Sequence, residues 1–133
     1  GFNYHFANVT NKGECLVTEV DCVAKNCGIN DNSTNNNLTT CHNGARCLRI
    51  NHYGRDCKGP MMTDVNGCKS LAFGCDISSK SSGYSYTFTL DNIGSAMLVD
   101  CKANSGKVSV TDGNLYVDTI DGDIENTTVV INI

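Results

Sequence analysis

The chain has 133 residues, a formal net charge of −4 and a hydrophobic content of 40%. This length is typical of one domain, and the negative charge argues against a nucleic-acid binder, whose affinity depends on a strong positive field. Because no run of 18 or more apolar residues occurs, the sequence predicts no insertion into a membrane.

The amino-terminal segment has alternating aromatic residues, Phe2, Tyr4 and Phe6, which predict a strand. It lacks the basic and apolar regions that make up a signal peptide. We therefore expect the chain to be a mature product from which a signal or pro-segment has been removed, or a segment of a longer ectodomain.

Nine cysteines are present, eight of them in the stretch that ends at Cys75. No Cys-x-x-Cys pair typical of zinc sites occurs, so the cysteines predict disulfides, about four in number, formed in an oxidising extracellular compartment. Because nine is odd, one cysteine is left over or bridges to another chain. Cys101, the outlier in position, is expected to staple the predicted sheet to the cross-linked half. The cysteines are Cys15, Cys22, Cys27, Cys41, Cys47, Cys57, Cys68, Cys75 and Cys101.

Residues 15–28 fit two interpretations. Four of their apolar residues have helical spacing, and Gly28 suits the end of a helix. The Val and Thr residues of 16–20 equally favour a strand. The Asn-rich stretch 30–37 has no apolar period and predicts an exposed loop.

Four Asn-x-Ser/Thr sequons occur, each without proline at its middle position. They predict N-linked glycans and, together with the cysteines, a secreted glycoprotein. Two of the glycans would mask the Asn-rich loop. The acceptor residues are Asn8, Asn32, Asn37 and Asn126.

A basic segment, 46–58, is the one concentration of residues suited to recognition. Its arginines present planar donors that fit carboxylates or sulfates, so it predicts a binding face for an acidic protein patch or a glycan. The alternative is a solvated loop. A third reading pairs His42 with His52 for ribonuclease-like acid–base chemistry. The predicted partner-binding residues are Arg46, Arg49, His52, Tyr53, Arg55 and Lys58.

Residues 83–133 have the alternating pattern of strands. Tyr84, Tyr86, Phe88 and Leu90 are predicted to share one face of a strand. Asp-Gly pairs at 112–113 and 121–122, with a turn at 91–94, predict hairpins between five consecutive strands. Four carboxylates near the end of this region could hold Ca²⁺ or be solvated turn residues. They are Asp118, Asp121, Asp123 and Glu125.

We expect one domain, 1–133, with a loop-rich half (1–82) and a β-meander half (83–133). The predicted fold is mainly β: a disulfide-rich antiparallel β-sandwich or small barrel with at most one or two short helices, and no internal repeat. We expect a binding protein of the toxin or effector kind, with an extracellular protein or glycan partner and no catalytic residue, metal or cofactor. The first alternative is a structural domain or polymerising subunit of a cell-surface or viral glycoprotein assembly, joined by the odd cysteine or by its terminal strands (2–6 and 129–133). The second is a secreted ribonuclease-like hydrolase.

Overall fold

The computed structural model describes residues 2–5, 15–27, 39–60, 62–79, 83–90, 93–125 and 130–133. Within these ranges all regular secondary structure is β-strand. The strands are β1 (Phe2–His5), β2 (Leu16–Val20), β3 (Val23–Lys25), β4 (Thr39–His42), β5 (Arg46–Ile50), β6 (Tyr53–Cys57), β7 (Met62–Val65), β8 (Lys69–Phe73), β9 (Asp76–Ser79), β10 (Tyr84–Thr89), β11 (Ser95–Val99), β12 (Lys107–Thr111), β13 (Asn114–Val117), β14 (Ile124–Glu125) and β15 (Val130–Asn132).

All the strands pair in parallel, in three sheets. Sheet A contains β1, β4, β7, β10, β12 and β14; sheet B contains β2, β5, β8, β11, β13 and β15; sheet C contains β3, β6 and β9. The chain therefore winds as a β-solenoid whose coils run from sheet A to B to C. The first three coils supply a strand to every sheet, and the later coils supply strands to A and B.

The predicted fold, an antiparallel sandwich or barrel, is wrong. The protein is mainly β, but a parallel solenoid replaces the antiparallel sandwich or barrel. The helical alternative for 15–28 is also wrong, since Leu16–Val20 forms β2. Strands of the solenoid run through both predicted halves, 1–82 and 83–133. In a solenoid each strand pairs with its counterpart one coil away, so strands that are neighbours in sequence belong to different sheets.

The turn at Asp112-Gly113 shows how the hairpin prediction failed. It separates β12 from β13 as expected, but these strands lie in sheets A and B and do not pair. Asp112 and Gly113 have φ values of 48° and 104°. Asp and Gly tolerate positive φ, which both a two-residue hairpin and a sharp corner between sheets require. The predicted turn at 121–122 likewise joins strands of different sheets, β13 and β14.

The corners between sheets A and B stack on one another. Asn43 and Asn66 occupy equivalent corners with φ values of 56° and 59°, and each is followed by a glycine. Asn66 Nδ2 donates a hydrogen bond to Asn43 Oδ1 at 2.9 Å. Asparagine favours this left-handed conformation and supplies a side chain that bonds to the next coil.

The corners between sheets B and C repeat the same left-handed conformation over four coils. Asp21, Asn51, Gly74 and Asp100 all have φ between 51° and 62°. Backbone bonds continue through this column, since Asp21 N, Asn51 N and Gly74 N each donate to the coil below. A Cβ on Gly74 would lie 2.6 Å from Asn51 Oδ1, so the column needs glycine there. The corners are an internal repeat, which the sequence did not predict.

Inward side chains of neighbouring coils also form columns. Leu98 is in register with Ala72 on one side and Val117 on the other, and all three are at most 2% exposed. Burying a Leu or Val side chain stabilises a fold by about 1.5–3 kcal/mol. The main core comprises Cys57, Met62, Ala72, Cys75, Ile77, Tyr86, Phe88, Leu90, Ala96, Leu98, Cys101, Ala103, Val108, Val110, Leu115 and Val117.

A register shift near the start of β10 modifies the predicted alternation there. Tyr86 and Phe88 are buried as expected, but the irregularity between Tyr84 and Tyr86 places Ser85 inside and leaves Tyr84 half-buried. Ser85 Oγ donates a hydrogen bond to Ala103 O at 2.8 Å. The buried hydroxyl is thereby satisfied.

The predicted terminal strands are both present in part. β1 pairs in parallel with β4, and β15 pairs in parallel with β13. Residues 6 and 129, which the prediction included, lie outside the described residues. Nothing in the described part of the chain forms a helix with the length and hydropathy that crossing a membrane requires.

Replacing Leu98 by Ala is expected to lower the free energy of unfolding by about 3 kcal/mol, because buried contacts are lost and a cavity remains. Met97 points out of the same strand, so Met97→Ala should cost less than about 1 kcal/mol. Denaturant unfolding of the two variants measures both values. Equal losses would contradict the placement of Leu98 inside the solenoid.

Candidate functional site

The outer surface of sheet B is apolar over most of its area. On β5, β8 and β11 the last two of the three outward positions carry Leu, Ile, Phe, Met or Val, and neighbouring strands keep these residues in register; the first outward positions carry Arg46, Lys69 and Ser95. We name this surface the apolar face. It consists of Leu16, Val20, Leu48, Ile50, Leu71, Phe73, Met97, Val99 and Tyr116.

The apolar face is partly accessible. Phe73, Val20 and Leu16 are 47%, 51% and 68% exposed, and the remaining members are half-buried by their in-register neighbours. The strand pairings within sheet B contain no register shift, whereas sheets A and C each contain one. A contiguous apolar surface of this kind is typical of an interaction site.

Sheet A provides a comparison within the same molecule. Its outward residues at corresponding positions are Thr63, Thr87 and Ser109, which are in register with one another. The outward side chains at these positions carry hydroxyl groups, and those of Thr63 and Thr87 are buried without a hydrogen-bond partner within the described residues. Sheet B differs because its corresponding outward positions are apolar, with Leu48, Leu71 and Met97 in register.

The two margins of the apolar face carry opposite charges. Arg46 and Lys69, in register with each other, lie exposed at the margin where the strands of sheet B begin. Asp21 and Asp100 lie exposed at the opposite margin, in the corner that leads to sheet C. The face therefore has a basic border on one side and an acidic border on the other.

A cluster of charged residues lies inside the solenoid beneath this face. The guanidinium of Arg49 is fully buried and makes two bonds to Asp64, Nη1 to Oδ2 at 2.9 Å and Nη2 to Oδ1 at 2.8 Å. Arg49 Nε lies 3.4 Å from Glu19 Oε2. Asp64 is 0% and Glu19 3% exposed. Two carboxylates and one guanidinium thus share a dry site.

Strand alternation accounts for the position of Arg49. On β5 it points to the same side as Cys47, inward, and it is in register with Glu19 on β2. Asp64 points inward from β7 in the next coil. Thr39 Oγ1 donates to Glu19 Oε1 at 3.1 Å, and Arg49 Nη2 lies 3.2 Å from Cys41 Sγ. The cluster therefore connects three successive coils.

The pKa values of the cluster follow from burial and charge. Burial alone would lower the pKa of Arg49, but Asp64 and Glu19 outweigh burial and raise the pKa above its ordinary value. Burial lowers the pKa of His52, and the favourable charge of Glu19 only partly offsets it. His52 Nε2 lies 3.1 Å from Glu19 Oε2, without good hydrogen-bond geometry within the described residues. His52 is therefore neutral at neutral pH.

The structure separates the six predicted partner-binding residues. Arg49 and His52 are buried, and Arg46 lies at the margin of the apolar face. Tyr53 and Arg55 lie together on sheet C, where the Arg55 guanidinium stacks 4.4 Å from the Tyr53 ring centroid. Lys58 is half-buried after β6. These residues do not form one surface.

The guanidinium of Arg55 already has hydrogen-bond partners within the protein. Its Nη2 lies 2.6 Å from Asp76 Oδ1, and its Nη1 donates to Asp76 O at 2.7 Å. Hydrogen bonds from Asn104 and Arg55 outweigh partial burial and lower the pKa of Asp76. This group binds neighbouring coils together on the surface of sheet C.

The histidines of the ribonuclease hypothesis lie on different elements. His42 ends β4 in sheet A and is half-buried, whereas His52 is buried at the corner between sheets B and C. A proton-transfer pair needs both groups within reach of the same substrate. The structure does not bring these two histidines together at one accessible place.

The structure does not bring the four predicted calcium ligands together at one site either. Asp118 accepts hydrogen bonds from Asp100 N at 3.0 and 3.2 Å, and Asp121 accepts them from two backbone N–H groups of the fourth coil. Glu125 binds Lys107 and Tyr84. Within the described residues no group of three or more His, Cys, Asp or Glu is arranged to hold a metal ion.

Comparison with known proteins found no matching family model, no matching curated protein and no matching solved structure. The four sequon asparagines, Asn8, Asn32, Asn37 and Asn126, all lie outside the described residues. The glycans therefore stay a prediction.

Sequence reasoning missed the apolar face. Its signal is the continuous apolar runs at 71–73 and 96–99, since strands covered on both faces lose the apolar–polar alternation. The buried cluster was missed because Arg49 and His52 sit in a segment rich in exposed basic residues.

Arg49→Met is expected to lower the free energy of unfolding by about 3–5 kcal/mol, because it leaves Asp64 buried without its counter-ion. Arg55→Met is the matched control. It breaks the partly exposed pair with Asp76 and should cost about 1 kcal/mol or less. Chemical denaturation of both variants gives the comparison, and a smaller loss for Arg49→Met than for Arg55→Met would contradict the buried cluster.

Stability is expected to fall when the pH drops below about 6.5, the ordinary pKa of histidine. Because the folded-state pKa of His52 is lowered, the unfolded chain binds more protons between the two pKa values, and acid favours unfolding there. Unfolding free energies at about pH 7.5 and about pH 5.5 should differ less in His52→Gln than in the native protein. His42→Gln serves as the control, and an unchanged pH dependence in His52→Gln would refute the assignment.

Proposed function

We propose that the protein is a small extracellular glycoprotein that acts by binding, and that the apolar face is its contact surface. The observation that carries this proposal is the continuous row of outward apolar side chains across five strands of sheet B, exposed at Leu16, Val20 and Phe73 and half-buried elsewhere. The nine cysteines and four sequons support the extracellular setting. A rigid solenoid suits this task because a pre-formed surface loses little entropy on binding.

We further propose that a second copy of the chain occupies the apolar face. Five strands about 4.8 Å apart, each contributing about five residues of about 3.3 Å, give a projected area of roughly 400 Å². Two such faces stacked together would bury roughly 1,000 Å² of accessible surface, at the lower limit for a specific interface. The expected product is a dimer with micromolar affinity that depends on concentration.

The charged margins favour one orientation of the two copies. A twofold axis parallel to the solenoid axis turns the basic margin of one copy onto the acidic margin of the other. Equivalent coils then face each other, so Lys69 of one copy is offset from Asp100 of the other by one coil spacing along the solenoid axis. A twofold axis along the strands would instead oppose like charges.

Association is tested by sedimentation velocity from low micromolar to near-millimolar concentration. The native protein should shift from monomer to dimer, and Leu71→Glu or Met97→Glu should weaken the dimer at least about tenfold, since each buries a charge in an apolar contact. Thr87→Glu, the same change on the outer face of sheet A, is the control. A native protein that stays monomeric throughout, or a dimer that these two substitutions leave intact, would contradict the proposal.

A double-mutant cycle tests the orientation. Lys69→Gln and Asp100→Asn should each weaken the dimer about threefold, and the double variant should be no weaker than either single one, because both remove the same contact. Additive losses would exclude the proposed axis. A monomer that binds a different extracellular protein through the same face would favour the toxin-like or effector-like role instead.

A further inference from the structure

We propose that two further cystines, Cys27–Cys57 and Cys75–Cys101, join neighbouring coils of the solenoid. The existing bridge, Cys41–Cys47, connects β4 to β5 within the second coil. The two proposed bridges run along the solenoid axis instead. The first links the first coil to the second, and the other links the third coil to the fourth.

Cys27 and Cys57 lie side by side on adjacent coils. Lys25 pairs with Arg55, and continuing this register by two residues places Cys27 next to Cys57. Lys58 N donates to Cys27 O at 3.0 Å, so the ladder does continue past the ends of β3 and β6. Cys27 N lies 3.4 Å from Cys57 Sγ.

Cys75 and Cys101 have the same relationship one step further along the axis. Phe73 pairs with Val99, and Asp76 pairs with Lys102, so the two cysteines between these pairs are in register. Lys102 N donates to Cys75 O at 2.7 Å. Both thiols are buried, at 0% and 4% exposure, and they are in direct contact.

The strand register alone places the Cα atoms of both cysteine pairs at a separation that suits a disulfide. Parallel strands lie about 4.8 Å apart, and the Cα atoms of a cystine are usually about 4.4–6.8 Å apart. No backbone movement is therefore needed to close either bridge.

Each bridge forms by thiol–disulfide exchange. The thiolate of one cysteine attacks the disulfide of an external oxidant and releases one of its sulfurs as a thiolate. The partner thiolate then attacks the protein sulfur of the resulting mixed disulfide and releases the second sulfur of the oxidant as a thiolate. Two thiols lose two protons and two electrons, one S–S bond forms, and the oxidant, a small-molecule or protein disulfide, is reduced to two thiols.

Cys22 has no partner in its own column. The column runs from Cys22 through His52 to Cys75, as the bonds from Tyr53 N to Cys22 O and from Asp76 N to His52 O show. Cys22 and Cys75 are therefore two coil spacings apart, about 9.6 Å, which exceeds the limit of about 7 Å for bridging.

Cys15 and Cys68 are separated in the same way by Ala45. Arg46 N donates to Cys15 O, and Lys69 N donates to Ala45 O, so one whole coil lies between the two cysteines. Burial raises the pKa of the Cys68 thiol to about 11, which keeps it protonated and unreactive. Of nine cysteines, six are thus bridged and three remain thiols.

A disulfide map of the oxidised protein tests the pairing. After removal of N-glycans, the protein is unfolded without reductant at acidic pH, alkylated and digested with trypsin. Peptide 70–80 should be linked to 81–102. Peptide 56–58 should be linked to 26–46, which is also held to 47–49 through Cys41–Cys47. Peptides 13–25 and 59–69 should be alkylated and unlinked.

Recovery of 56–58, 70–80 or 81–102 as an alkylated, unlinked peptide would overturn the corresponding bridge, as would linkage of any of them to 13–25 or 59–69. Thiol counts on the unfolded protein provide an independent readout. Cys75→Ala should raise the count from three to four, and Cys75→Ala with Cys101→Ala should return it to three. Cys22→Ala, the control, should lower it to two. A count that falls by one in Cys75→Ala would show that Cys75 is a free thiol and would refute Cys75–Cys101.

Discussion

The structure depends on the in-register stacking of one coil on the next, which parallel backbone hydrogen bonds maintain through the corners as well as along the strands. At the corner between sheets B and C, Asp21 N, Asn51 N and Gly74 N each donate to the neighbouring coil. Because the ladder is not interrupted there, every residue has a fixed neighbour above and below. The core, the ion cluster, the cysteine pairs and the apolar face are all columns set by this register.

The columns are not equally apolar, and the difference divides the solenoid along its axis. From the third coil to the fifth the inward column that contains Leu98 is hydrocarbon, whereas in the first two coils the same column holds Glu19 and Arg49. A buried ion group adds little net stability, but removal of one member is costly. The proposed cystines join the first coil to the second and the third to the fourth. Arg49–Asp64 connects the second coil to the third, a junction that lies between the two pairs of coils that the cystines join.

Strand positions could be predicted from the sequence because alternation is local, and β10 to β13 lie where the pattern placed them. Strand pairing is not local. The trace of the repeat is an apolar residue, a left-handed residue and a cysteine, at 20–22, 73–75 and 99–101, but unequal coil lengths hid it. On β5 the pattern was misleading, since Leu48 and Ile50 suggest an inner face that the structure gives to Cys47 and Arg49. The usual rule, by which the apolar residues of a strand are assigned to its inner face, therefore fails on a strand whose outer face is apolar.

The apolar outer face also supports the proposal that sheet B is the contact surface. Outward Leu, Met and Phe residues contribute little to the fold of a monomer, because water remains on their outer side. Sheet A shows that a polar outer face is compatible with the same coils, since Thr63, Thr87 and Ser109 occupy its outward positions. The apolar residues of sheet B are therefore not needed to form the solenoid. Their physical effect is realised only when a second surface excludes water from them, and the opposite charges at the two margins favour a second copy as the source of that surface.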